Sequence, residues 1–175
     1  MRSACSSSRE NSRNRGSCSI RRARSPVRPG PTARTSAKWK SIRTPERVDV
    51  VAYASVNDVG RVVNPLIVAG QLDGGAAQGI GQALFERFVY DGDSGQALTA
   101  SLMDYALPRA RDLCDFDTRT DESTPCLNNA MGVKGVGELG TIGATPAVVN
   151  AVLDALTRAG ATTGALQMPL TAEKV

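Results

Sequence analysis

The chain predicts an α+β fold, and three observations predict it. The β-branched run Val48–Val56 reads as a strand. Asn64-Pro65 and Thr145-Pro146 read as an N-cap followed by proline at the first helical position, each ahead of apolar residues at helical spacing. Strands and helices are interspersed without a regular βαβ alternation. At 175 residues the chain is long enough for one domain of ordinary size with a real core.

The net charge of +4 hides a division. Residues 1–46 carry 12 Lys/Arg against 2 acids, whereas residues 47–175 carry 9 against 15. The first stretch is rich in Arg, Ser and Pro and lacks sustained apolar periodicity. It is expected to be a disordered basic tail, with the folded part at 47–175. Three origins fit that composition: a nucleic-acid-binding arm, a targeting peptide, or out-of-frame translation of GC-rich DNA. The last is favoured, and nucleic acid is not an expected partner.

No stretch approaches the ~20 apolar residues that span a bilayer, so no membrane association is expected. Cys5, Cys18, Cys114 and Cys126 form no C-x-x-C pair, which fits reduced thiols in a cytoplasmic setting. Histidine is absent. That excludes Ser-His-Asp and Cys-His catalysis and removes zinc's usual nitrogen ligand.

Taken in order, Asn57–Gly60 turns the chain after the first strand. A helix follows from Leu66 to about Phe88. Gly70, Gly74, Gly75, Gly79 and Gly81 lie within it, each costing about 1 kcal/mol relative to Ala. Close packing against another element or backbone contact with a ligand must compensate. Phe88–Tyr90, the turn Asp91–Gly95 and Ala97–Leu102 read as a β-hairpin with a longer loop. Residues 106–115 are irregular, 117–120 a short strand, and Thr145 opens a helix that stops at Gly160.

The densest signal is the segment 128–147. Glu138 sits there among Gly132, Gly135, Gly137, Gly140 and Gly143. Such a run implies positive φ or close approach of backbone to a bulky group. An acid held there with few polar neighbours is a candidate general base with a raised pKa. The competing reading is a solvated loop carboxylate paired with Lys134. Gly135-Val136-Gly137-Glu138-Leu139-Gly140 matches G-x-G-x-x-G in form, but a loop precedes it and the expected helix waits until Thr145, so a dinucleotide fingerprint is rejected. Gln78-Gly79-Ile80-Gly81-Gln82 lies in the other glycine-dense stretch and could wall a common cavity with Glu138.

Together, Asn64-Pro65, the run Gly70–Leu84 containing Gln78-Gly79-Ile80-Gly81, Met103-Asp104-Tyr105-Ala106-Leu107-Pro108 and Gly132–Glu138 resemble a known family. It is the molybdopterin-binding large subunit of the xanthine dehydrogenase/aldehyde oxidase/carbon monoxide dehydrogenase type, near its C-terminal end. The resemblance runs in order from about Val50 to Lys174 and implies a partial molybdopterin-binding domain. It further implies a molybdenum–molybdopterin cofactor, in the cytosine dinucleotide form, and oxidation of an aldehyde, N-heterocycle or similar small substrate. On that pattern Glu138 is the base that takes a proton from a metal-bound hydroxyl. Gln78 hydrogen-bonds near the metal or pterin, and Gly79, Gly81, Gly135 and Gly137 admit the cofactor to the backbone. Iron–sulfur and FAD centres would belong to partner subunits, since no cysteine cluster stands here. Family members carry several hundred further residues before this region, so the chain alone is expected to be inactive. The alternative is a non-catalytic assembly domain in which Glu138 is structural.

Overall fold

The structure, a computed structural model, describes residues 17–19, 33–41, 48–161, 164 and 166–175. Four strands form one mixed sheet: β1 Ser17–Ser19, β2 Ala33–Ser41, β3 Val48–Asp58 and β4 Phe116–Asp121, in that order across the sheet. β1–β2 and β2–β3 are antiparallel, while β3–β4 is parallel. The helices are α1, Pro65–Leu84, and α2, Leu139–Arg158. The mixed content agrees with the α+β class. Of the stretch expected to be a basic tail, Ser17–Ser19 and Ala33–Ser41 are the described residues, and they pair into the sheet. The rest of that expectation lies outside the described residues.

β3 is the strand read from the sequence, extended by two residues. Its register carries an irregularity: Trp39 faces Val50 and Lys38 faces Ala52, which leaves Val51 as an extra residue. An inserted residue reverses the alternation of side chains. Val48 and Val50 are accordingly buried before it, and Tyr53, Ser55 and Asn57 after it. Both sets face the helices.

α1 begins as expected. The Asn64 side chain accepts from the amides of Leu66 and Ile67, and Pro65 fills a position whose N–H would be unsatisfied anyway. It ends at Leu84, four residues short of the expected Phe88. α2 departs further from expectation. It starts at Leu139, six residues before Thr145, and holds Pro146 in its interior. Thr145 is therefore not an N-cap. Its hydroxyl instead lies 3.2 Å from the carbonyls of Gly79 and Thr141. The glycine-rich segment thus ends at Glu138, which is itself the N-cap. The stop at Gly160 holds, with φ of +81°.

The start of α2 is set by tertiary packing. A Cβ on Gly75 would come within 3.0 Å of Gly140 Cα, and one on Gly79 within 2.7 Å of Ala144 Cβ. Positions 75 and 79 thus meet 140 and 144 in ascending order, so the helices run parallel with their backbones in near contact. The resulting core joins Val48, Val50 and Tyr53 of β3, Ala76, Ile80, Ala83 and Leu84 of α1, and Ala144, Val148, Ala151 and Val152 of α2. Of the five glycines in α1, Gly75 and Gly79 are compensated by packing, whereas Gly70 and Gly74 face open space. Gly140→Ala would press its methyl onto the Leu72 carbonyl and bring it to 2.9 Å from Ala76 N. We expect a loss of about 2 kcal/mol in urea unfolding. Gly70→Ala, by contrast, gains about 0.5 kcal/mol by restricting the unfolded chain.

Two local expectations change. Residues 88–102 form a turn with one bridge, Tyr90 to Ala97, rather than two strands. α2 is long and apolar enough by length and composition to cross a membrane, contrary to the reading that no stretch qualifies. Its Leu, Ile and Val residues carry that hydropathy, and Leu139, Ala144, Val148, Ala151 and Val152 on one side of it are buried in this domain.

Candidate functional site

Glu138 marks the point where the glycine-rich segment meets α2. Two anchors hold that segment. The first is backbone pairing: Arg61 N–H donates to the Gly132 carbonyl at 3.0 Å, and Lys134 N–H to the Val59 carbonyl at 3.1 Å. Gly60 permits this with φ of +63°, and a Cβ there would run into the Gly132 carbonyl. The second is an ion pair, Lys134 Nζ to Asp58 Oδ2 at 2.7 Å, with Lys134 Nζ also 3.3 Å from Thr124 Oγ1. Lys134 therefore pairs with Asp58, not with Glu138. Burial pushes the Asp58 carboxyl up, but the bonds from Lys134, Thr124 and the Gly60 amide, with the Lys134 charge, hold it below its ordinary value.

Past this clamp, Gly135 and Gly137 are exposed, with open space where a Cβ would stand. Glu138 is exposed and makes no bond to the amides of its own helix. The carboxylate thus sits at the positive end of α2 without serving as its cap. Within this chain the carboxylate is open to solvent. Desolvation of Glu138 would have to come from groups outside it.

Gln78, on the exposed side of α1, reaches α2. Its Oε1 lies 3.2 Å from the Thr141 hydroxyl, which is 3.0 Å from the Gly75 carbonyl. Thr141 is three residues beyond Glu138, so the packing brings the Gln78 and Glu138 segments together. One turn on, Thr145 stands 3.2 Å from both the Gly79 carbonyl and Gln82 Oε1. The space of a Gly79 side chain is filled by Ala144 and the Thr141 carbonyl, and that of Gly81 by Glu86 and Pro108. Their missing side chains admit protein, not an open approach.

Thr141, Thr145 and Asp58 were missed in the sequence. The available signal was the shared step of four: Gly75 and Gly79, Gln78 and Gln82, Thr141 and Thr145. Among the described residues no cluster of three or more Cys, Asp or Glu could hold a metal ion. Cys114 and Cys126 are free thiols, and burial pushes the Cys114 thiol up, which leaves it less reactive.

Residues 44–114 match the model of the molybdopterin cofactor-binding domain. That match includes Gln78 and α1 and ends before the segment of Glu138. The nicotine 6-hydroxylase large subunit of Paenarthrobacter nicotinovorans is 45% identical over 128 residues, covering 73% of this chain and 15% of that subunit. The carbon monoxide dehydrogenase large chain of Hydrogenophaga pseudoflava is 34% identical over 123 residues, covering 70% and 15%. Among solved structures, quinoline 2-oxidoreductase from Pseudomonas putida 86 superposes with a TM-score of 0.72 at 39% identity, covering 80% of this chain and 17% of that one. The chain belongs to the xanthine dehydrogenase/aldehyde oxidase/carbon monoxide dehydrogenase family of molybdopterin-binding large subunits. It spans about 13–15% of the length of the curated relatives it matches.

Proposed function

We propose that this chain supplies the general base of a molybdenum hydroxylase large subunit acting on an electron-poor small molecule, an aldehyde or an N-heterocycle. The observation that carries the reading is the state of Glu138. Its carboxylate is free of capping and of Lys134, and it follows two glycines with open backbone on a segment tied down at Lys134. A base needs that combination of fixed backbone and uncommitted oxygen atoms.

The residues present fit a pterin-bound metal in part. The open backbone at Gly135 and Gly137 and the Gln78 amide offer room and hydrogen bonds to a polar, planar group. Gly79 and Gly81 would act behind them, by letting α2 and Pro108 close on α1. When bound, the molybdenum–pterin group, in its cytosine dinucleotide form, supplies the redox chemistry. Glu138 would take up a proton at a carboxylate oxygen, and covering by the rest of a subunit would exclude water from around it. Leu66, Met103 and Leu127 are 83–93% exposed, which supports a neighbour that covers them.

In this reading, iron–sulfur and FAD-binding partner subunits carry electrons away and the assembly works in the cytoplasm. Residues 47–175 act as the C-terminal part of the cofactor domain, and the 175-residue chain alone is inactive. Metal analysis of the purified chain is expected to find molybdenum far below one per chain. Stoichiometric molybdenum would overturn the inactivity of the isolated chain. A complete subunit carrying this segment that holds no molybdenum would overturn the function itself.

A further inference from the structure

The helix pair carries a ladder with two similar rungs, the second differing in that Thr145 also lies 3.2 Å from the Thr141 carbonyl. On each, a glycine of α1 (Gly75 or Gly79) brings α2 close, a threonine of α2 (Thr141 or Thr145) approaches that glycine's carbonyl, and a glutamine three residues on (Gln78 or Gln82) reaches the same hydroxyl. The hydroxyl has one proton to give and two lone pairs to offer. When the Thr141 proton goes to the Gly75 carbonyl at 3.0 Å, the hydroxyl oxygen is left to receive the Gln78 NH2 group. When it goes to Gln78 Oε1 at 3.2 Å, the NH2 group faces outward as a donor. The hydroxyl therefore governs which end of the amide is presented.

From this ladder we infer that Thr141 is a positioning residue: it holds the Gln78 amide across the helix seam, one turn into the helix that Glu138 starts. The inference rests on the proposed role of Gln78 only for its consequence, not for its geometry. Without the hydroxyl an exposed glutamine samples many rotamers, and its amide ceases to be a fixed partner for anything bound beside Glu138. Thr145 and Gln82 give an internal control of the same design, four residues along both helices.

The test uses the 15N-labelled 175-residue chain and follows the side-chain NH2 resonances of Gln78 and Gln82, assigned by their loss in Gln78→Ala and Gln82→Ala. Thr141→Val keeps the branched shape and removes the hydroxyl. The Gln78 pair is expected to move to the position of a free glutamine while the Gln82 pair stays. Thr141→Ser should restore the wild-type position, and Thr145→Val should move Gln82 instead. A purely structural Thr141 bonded to the Gly75 carbonyl would alter backbone amides near Gly75 and leave the Gln78 NH2 pair in place. That outcome, or a failure of Ser to restore the shift, overturns the inference. If Thr141→Val unfolds the chain, Thr141→Ser and Thr145→Val still decide: a Gln78 pair displaced in the Ser variant, or a Gln82 pair unmoved in the Val variant, counts against it. Failure of the molybdenum reading would leave these shifts unchanged, so the two are separable.

Discussion

Glu138→Gln, placed in a complete large subunit that carries this segment, is expected to lower turnover about 10²–10⁴-fold, the usual contribution of a positioned base. Molybdenum content should stay at the wild-type level. The change keeps the size and shape of the side chain and removes only its ability to take up a proton. Glu138 makes no capping bond and does not pair with Lys134, so the fold should lose only what a charge at a helix N-terminus contributes, about 0.3–1 kcal/mol. That separates the reading from the assembly-domain alternative, in which the acid is structural. Retained turnover in the Gln variant, with full metal content, would favour the alternative. Thermal unfolding of the same variant provides the control, with at most a small fall in the midpoint expected.

Asp58→Asn should produce the larger effect on stability. The Lys134 and Asp58 side chains are only 6% and 13% exposed, and the substitution leaves an ammonium group in that setting without its counter-charge. Removing one partner of a buried pair costs about 3–5 kcal/mol, and the nearness of this pair to the surface puts the expectation at about 3. The pH dependence has a definite sign. The Asp58 carboxyl is held below its ordinary value of 3.8 in the folded chain, so its contribution is present in full above that value. It is lost as pH falls through the lower, folded value. The difference between wild type and Asp58→Asn in urea unfolding should therefore be constant near neutrality and shrink below about pH 3.8. Asp117→Asn, which breaks an exposed pair with Arg119, should leave the midpoint unchanged. A difference that persists undiminished at low pH would show that the pair is not its source.

Much of the fold was legible locally. Asn64-Pro65 signals its helix through a side-chain acceptor and a missing donor, both properties of two adjacent residues. Gly160 signals a stop because glycine takes positive φ without strain. β3 follows from a run of β-branched residues. Thr145-Pro146 carried the same signal as Asn64-Pro65 and misled. Proline inside a helix forfeits one hydrogen bond and crowds the carbonyl four residues back, yet the burial of Gly140 and Ala144 against α1 outweighs that cost. One ground for rejecting a dinucleotide fingerprint falls with it, since a helix does follow the glycines directly. The other ground stands: β4 ends at Asp121, and residues 122–138 hold only an isolated bridge.

What the residues determined unaided are the properties carried by short spans of chain: the strand at Val48, the first helix and its cap, and the motifs around Gln78 and Glu138 that point to the family. Tertiary structure alone decided which glycines are packing surfaces and which are open backbone, because Gly70 and Gly79, both inside α1, differ in what lies opposite them. It also decided that Lys134 answers to Asp58, 76 residues away, rather than to Glu138, four residues away. The partner of a buried charge is set by which backbone segments are held side by side, and no local pattern encodes that.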